Sequence, residues 1–244
     1  ETMQQLDQMR IDVETASQKS SEDMTDYYTM WAHQIKTPIF ALRLLLQESP
    51  EENKEKLSEL FKIEQYVEMV LGYLRTEDMS SDLKLSHCSL DQIIRDQIHK
   101  YAGIFVSKKL TLTYESISQD VLTDEKWLGF VIGQILSNAL KYTRTGGIRI
   151  YLEKKLSLDT DDVSISIGND SCNKVENLTL VIEDTGIGIR AEDIPRIFEK
   201  GYTGVNGRDD NRATGIGLYL SNKIMRKLGH CLYITSTEGK GTKV

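Results

Sequence analysis

The sequence predicts an α+β chain in two parts. A helical hairpin comes first and is completed by a second copy of itself as a four-helix bundle; a mixed β-sheet with helices over one face follows. Three observations carry this reading. Apolar residues recur in steps of three and four from Met24 to Leu46, and the same spacing resumes from Leu57 to Leu74 after the break "QESPEEN" at 47–53. Beyond residue 82 the long stripes give way to short strand-like runs alternating with capped helices.

The first stripe is Met24, Tyr28, Trp31, Ile35, Ile39, Leu42 and Leu46; the second is Leu57, Leu60, Val67, Leu71 and Leu74, widened by Phe61, Ile63, Tyr66 and Val70. Two such narrow-striped helices bury too little alone, so the hairpin over 24–80 is expected to form a homodimer. Residues 1–23 are polar with weak spacing, and read either as a coiled-coil extension of the first helix or as an unstructured end. Over 81–244, "LKLSHCSL" reads as a strand entering a Ser89-capped helix at about 90–106, and "KLTLTYES" as a second strand. A helix at about 124–143, strands at "GIRIYLEKK" and "NLTLVIED", a helix at about 215–228 and a last strand "HCLYITST" complete one mixed sheet. The polar excursion 155–176 carries no motif.

Composition excludes several classes. Of 244 residues 39% are hydrophobic, which suits a globular chain, and the net charge of −7 with scattered Lys and Arg argues against nucleic acid as a partner. No apolar run approaches the ~20 residues that cross a bilayer. The chain begins Glu1-Thr2 in mid-helix, which suggests a fragment of something longer. Three cysteines, Cys88, Cys172 and Cys231, show no CxxC spacing and read as lone thiols in a reducing cytoplasm.

Two glycine clusters suggest a ligand. "EDTGIGI" (183–189) follows a strand, and "ATGIGLYL" (213–220) opens a helix, where unpaired N–H groups cradle anions. Taken alone, a GxG at a strand end is more often a plain turn. No GxxxxGK[ST] occurs, so a P-loop is excluded, and the early βαβ setting of a dinucleotide fold is missing. On the helix "QILSNALKYT", Asn138, Lys141 and Tyr142 share one face, which taken alone reads more often as an exposed polar face but is also a suitable set for a metal-bound polyphosphate. Between the clusters, the charged stretch at about 190–214 reads as a lid.

The order NALKY, DTGIG, IFEKGYTG, TGIGL resembles the N, G1, F and G2 boxes of the histidine-kinase ATP-binding domain, a branch of the superfamily with gyrase B, Hsp90 and MutL. With "WAHQIKTPI" some 105 residues before Asn138, the likeness to a bacterial sensor histidine kinase core covers nearly the whole chain. It implies an α/β-sandwich ATP-binding domain in which Asn138, with Gln134 one turn earlier, holds Mg²⁺. Lys141 and Tyr142 would meet phosphates or ribose, and the Asp184 carboxylate would accept the exocyclic amine of adenine. Gly186 and Gly188 would clear room for the base, Phe198 would anchor the lid, and Gly215 and Gly217 would bring N–H groups to the phosphates, flanked by Thr214 and Leu218.

On a helical wheel His33 lies roughly 160° from the centre of the apolar stripe, with Thr37 on the same outer side. The resemblance implies that His33 attacks the γ-phosphorus of ATP and passes the phosphoryl group to an aspartate of a response regulator, while Thr37 orients water for the reverse dephosphorylation. Pro38 marks a local helix weakness just beyond the histidine. The family's acidic neighbour of the histidine is Gln34 here, which accepts a hydrogen bond but takes up no proton at neutral pH; Glu64 or Glu68 on the second helix is the candidate replacement. The family's closing GxGTxF becomes Gly239-Lys240-Gly241-Thr242-Lys243-Val244. The spelling "YYTMWAHQIKTPI" is most similar to the bacitracin-type intramembrane-sensing kinases of Firmicutes, which implies membrane helices upstream, a place at the cytoplasmic face of the cell membrane and a peptide-antibiotic ABC transporter as a further partner. Two rivals stand beside this reading. One is an ATP-binding signalling scaffold acting through dimerisation or phosphatase action alone; the other is a clamp ATPase of the same superfamily, which would need no exposed histidine.

Overall fold

The structure, a computed structural model, describes residues 10, 28, 30–31, 34–49, 52–76, 83–155, 177–204 and 214–244. His33, nearly all of the 1–23 segment, the excursion beyond Lys155 and lid residues 205–213 lie outside the described residues. The chain divides into two compact units, Glu1–Met79 and Ser80–Val244.

In the first unit, α1 (34–47) runs unbroken through Pro38, so the proline that reads as a weakness is accommodated within the helix. Gln34, Thr37 and Pro38 are all exposed. α2 (Lys54–Arg75) packs back on α1 around a small core of Ile39, Leu60, Val67 and Leu71, with Ile35 and Leu46 at its margin. Arg43 forks onto Glu64, its Nε donating to Oε1 at 3.0 Å. That pairing occupies one of the two acids expected to stand in for the missing neighbour of His33. Only half of the expected stripe is covered within one chain: Leu42 is 50% exposed, and Phe40, Leu45, Ile63 and Val70 are exposed beside it. Such a surface on a two-helix unit needs a covering partner.

The second unit opens with β1 (Ser86–Ser89), whose last residue caps α3 (Leu90–Lys108) by accepting the Gln92 N–H at 3.4 Å. β2 (Thr111–Tyr114), β3 (Asp120–Thr123), α4 (Glu125–Tyr142), β4 (Gly147–Lys155) and β5 (Asn177–Asp184) follow. After the lid residues come α5 (Gly217–Lys227), β6 (Thr235–Thr237) and β7 (Gly241–Lys243). At the start of α3, Asp91 accepts from Arg95, from the Tyr114 hydroxyl and from the Ile117 N–H at 3.1 Å. Those bonds, Arg95 foremost, hold its carboxyl down to about 2.

The sheet differs from the expected single one. Five strands run in the order β2-β4-β5-β7-β6, parallel only at β2–β4, while β1 and β3 pair separately as a two-stranded antiparallel ribbon. β3 went unread because "DVLT" is four residues long and its partner lies over thirty residues upstream. The final strand is shorter than read: 230–234 form no ladder, and the chain returns as β7 within the glycine-rich "GKGTK" that resembles a turn. Cys88 is a buried free thiol, but Cys231 is disulfide-bonded, which corrects the reading of three lone thiols; an odd count leaves room for one bridge.

α4 lies between α3 and α5 and against β5, and most of its residues are buried, among them Val131, Ile132, Leu136 and Leu140. Alternation along β4 and β5 sends Ile148, Ile150 and Ile182 to that helical side. On the opposite face Tyr151 pairs with Val181, beneath the ion pairs Lys243–Glu153 at 3.0 Å and Arg149–Glu183 at 3.6 Å. The candidate residues Gln134, Asn138, Lys141 and Tyr142 therefore sit on a helix that the core holds on three sides.

Candidate functional site

α4 supplies one wall. Asp124 caps its start, accepting from the Lys126 and Trp127 N–H groups at 3.1 Å each. Ile135, Leu136, Ala139 and Leu140 turn inward, which leaves Asn138, Lys141 and Tyr142 partly exposed on one face. The Lys141 ammonium rests 5.1 Å from the centre of the Tyr142 ring. Gln134, one turn before Asn138, is buried and faces the second glycine cluster: a Cβ on Gly217 would come within 2.9 Å of its Oε1.

β5 delivers Asp184 to the end of that wall, where it is 8% exposed. Its Oδ1 accepts the Gly186 N–H at 2.8 Å, and a backbone hydrogen bond from Thr242 adds a second anchor. Burial pushes the carboxyl above the usual carboxylate range, against the pull of those two N–H groups and with help from the neighbouring Glu183 charge. A buried carboxylate at a strand end, already accepting two N–H groups and with lone pairs to spare, is ready for one further donor.

The loop after Asp184 is laid tightly against its neighbours. Ile187 N–H donates to the Tyr142 carbonyl at 3.2 Å, and Thr185 Oγ1 accepts the Gly147 N–H at 3.0 Å. Gly186 has no room for a side chain, since a Cβ would lie 2.7 Å from both Asp184 Oδ1 and the Tyr142 carbonyl oxygen. At Gly188 the backbone takes φ +69°, and a Cβ would lie 2.1 Å from the Thr237 carbonyl oxygen.

The described lid residues pass through a short 3₁₀ turn (Ile194–Arg196) into Phe198. Phe198 is buried with Ile197 and Ile234, and Ile189, Leu218, Leu232 and Val244 pack around them. Phe198 and Val244 thus share one hydrophobic cluster. The Tyr202 hydroxyl donates to the buried Asp193, and Gly201 N–H donates to the Gly215 carbonyl at 3.0 Å. Thr214 is exposed, its Oγ1 accepting the Ile216 N–H at 3.4 Å, and Gly217 begins α5.

The fold therefore brings together the Asn138 face, Asp184 with its glycine loop, Phe198 and the second glycine cluster, all within the Ser80–Val244 unit. Gln34 and Thr37 lie in the other unit, exposed on α1. Sequence reasoning missed Thr185 and the structural use of the closing box, in which Thr242 lies opposite Asp184 in the ladder. The signal for Thr242 was available: a GxGT ending a chain after a strand is a candidate hairpin edge.

A mixed sheet with three helices beside it, a buried strand-end carboxylate and a glycine-opened helix facing an amide-and-cation helix define a nucleotide-binding α/β sandwich. Residues 123–244 match the family described as histidine kinase-, DNA gyrase B- and HSP90-like ATPase, and the chain belongs to it. It is 33% identical over 223 residues to sensor histidine kinase YxdK of Bacillus subtilis (strain 168), covering 89% of this chain and 62% of the relative. It is 36% identical over 219 residues to sensor protein kinase GraS of Staphylococcus aureus (strain JH1), covering 88% of this chain and 58% of the relative. The chain thus spans about three-fifths of the length of these curated relatives. Among solved structures it is similar in fold to full-length ShkA, solved in complex with AMPPNP, with TM-score 0.59 and 18% identity over 89% of this chain and 44% of that one. The catalytic domain of histidine kinase ThkA gives TM-score 0.50 and 17% identity, over 66% of this chain and 91% of that one.

Proposed function

We propose that the chain is the catalytic core of a sensor histidine kinase, which phosphorylates His33 from ATP and hands the phosphoryl group to an aspartate of a response regulator. One observation carries the reading: similarity to the two sensor kinases covers nearly nine-tenths of the chain, the helical hairpin as well as the ATP-binding unit. A clamp ATPase has no use for that hairpin.

In this reading Asp184 accepts the exocyclic amine of adenine and so selects the base. Lys141 and the N–H groups at Gly215 and Gly217 meet the phosphates, while Phe198 keeps the lid stem seated on the hydrophobic cluster. The donor set suits Mg²⁺, which takes one or two side-chain oxygens plus substrate phosphates rather than an all-protein cage. Asn138 would supply one amide oxygen, and the buried Gln134 a second from one turn away. Bound there, Mg²⁺ would neutralise charge on the transferring group. A neutral imidazole nitrogen of His33 attacks in line as the bond from the γ-phosphorus to the bridging oxygen breaks. ADP leaves with that electron pair, and the proton on the other ring nitrogen is released to water. Gln34 can orient the ring but takes up no proton at neutral pH, so deprotonation falls to solvent or to Glu64 or Glu68 of the second helix, Glu64 being paired with Arg43. Thr37, exposed one turn beyond His33, orients water for dephosphorylating the regulator.

Dimerisation through the hairpin is part of the proposal, supported by the apolar residues that α1 and α2 leave uncovered. So is a place at the cytoplasmic face of the bacterial cell membrane, with a peptide-antibiotic ABC transporter as a further partner. Among the described residues no helix is long and apolar enough to cross a membrane.

Gln34 favours a second reading, a scaffold that binds ATP without phosphorylating itself. The two separate on transfer. Chain preincubated with Mg-ATP, freed of nucleotide and mixed with a receiver-domain regulator from the same cell is expected to lose its phosphoryl group to an aspartate of that regulator. A chain that binds ATP but never carries a transferable phosphoryl group would support the scaffold.

A further inference from the structure

The last turn of α4 carries Lys141 and Tyr142, and a helix end leaves its final carbonyls without intrahelical partners. Here three of those carbonyls are taken by three different groups. Ala139 O accepts the Thr143 N–H at 3.0 Å, and Tyr142 O accepts the Ile187 N–H at 3.2 Å. Leu140 O accepts from the ammonium of Lys108 at 2.5 Å, and the same Nζ lies 3.5 Å from the carbonyl of Thr143. Lys108 is the last residue of α3, and Lys109 after it turns the backbone into the left-handed region at φ 54°, ending that helix where the side chain can reach α4. With the ammonium in place Leu140 is 2% exposed and Thr143 fully buried, while Lys108 itself is exposed.

We infer that Lys108 is a positioning residue of the nucleotide site: its ammonium clamps the C-terminal turn of α4 and so fixes where Lys141 and Tyr142 present their side chains. A cation at a helix C-terminus also opposes the negative end of the helix dipole. The effect on nucleotide binding passes through Lys141 and Tyr142 and rests on the reading of their face as part of the ATP site; the clamp on the turn does not depend on that reading.

Two measurements on the whole chain test it. Hydrogen exchange at the amides of 141–143, without nucleotide, is expected to quicken in Lys108→Met and to return toward the parent in Lys108→Arg. ATP affinity, measured well below the unfolding midpoint, is expected to weaken about tenfold in Lys108→Met, as an unpaired buried carbonyl implies, and to recover in Lys108→Arg. Asp91→Asn, which loosens the other end of α3, serves as the stability control and is expected to leave ATP affinity unchanged. Unaltered protection of 141–143 in Lys108→Met would overturn the clamp whatever the ligand. Quickened exchange with unchanged ATP affinity would overturn its role in binding. If the parent chain itself bound no ATP, the site reading would fail while the exchange result still judged the clamp.

Discussion

Asp184→Asn is expected to weaken ATP binding by about a hundredfold while raising the stability of the ATP-binding unit at neutral pH. The loss follows from what the carboxylate already does. It sits 8% exposed, takes N–H groups from Gly186 and Thr242, and keeps lone pairs for a further donor. An amide keeps its oxygen for the backbone donors and turns its NH₂ toward the donor a bound base would offer, and a buried donor–donor mismatch formed in the complex costs several kilocalories, about 3 kcal/mol here. The stability gain comes from the opposite side. Burial raises the native pKa of Asp184, so its ionised form is a cost of folding at neutral pH. That cost fades as pH falls through the raised native value and vanishes once the unfolded carboxyl, at about 3.9, is protonated too. The stability difference between Asp184→Asn and the parent is therefore expected to be positive at pH 7 and to shrink toward zero as pH falls through the acid range. Calorimetric titration with ATP and thermal unfolding against pH read the two signs separately. A variant that binds ATP like the parent would remove Asp184 from the site.

Gly188→Ala is expected to destabilise the ATP-binding unit by about 3 kcal/mol, lowering its unfolding midpoint by about 10 °C. Two costs combine. The residue sits at φ +69°, where an L side chain is strained by roughly 1–2 kcal/mol, and its Cβ would meet the Thr237 carbonyl oxygen at 2.1 Å. Because that neighbour is backbone, either the 185–189 loop or the 237–238 turn must shift, and the loop holds Ile187 on the end of α4. Gly201→Ala separates the costs: Gly201 has φ +78° but nothing within 4 Å of the added carbon, so only the conformational part, about 1 kcal/mol, is expected. Equal losses in the two variants would mean that the contact with Thr237 relaxes freely.

The helical elements were legible because their signals are local. Ser89 before Leu90 and the Asn138, Lys141, Tyr142 spacing each state a cap or a face within a few residues. β3 and β7 were not legible: β3 is four residues long with its partner β1 over thirty residues upstream, and β7, three residues paired with the adjacent β6 and with the end of β5, is spelled by the glycine-rich "GKGTK". Thr242 went unread although its GxGT hairpin signal was there, because its importance comes from the ladder that sets it opposite Asp184. Lys108 was invisible for a like reason. As a terminal lysine on an amphipathic helix it reads as a solvated charge, and only the packing of α3 on α4 brings its ammonium to a carbonyl thirty-two residues away. Gln134 was singled out as a metal ligand only through the family resemblance; the fold adds that it faces Gly217, tying the amide helix to the second glycine cluster.

The most direct test of the account is to incubate the chain with Mg²⁺ and γ-labelled ATP and examine the label that stays on the protein. The account predicts label that survives alkali, is lost in acid and is absent from His33→Gln, with ATP binding in that variant unchanged. Label of the same stability persisting in His33→Gln, or none on a parent chain whose ATP binding is abolished by Asp184→Asn, would contradict the assignment of His33 as the phosphoryl acceptor.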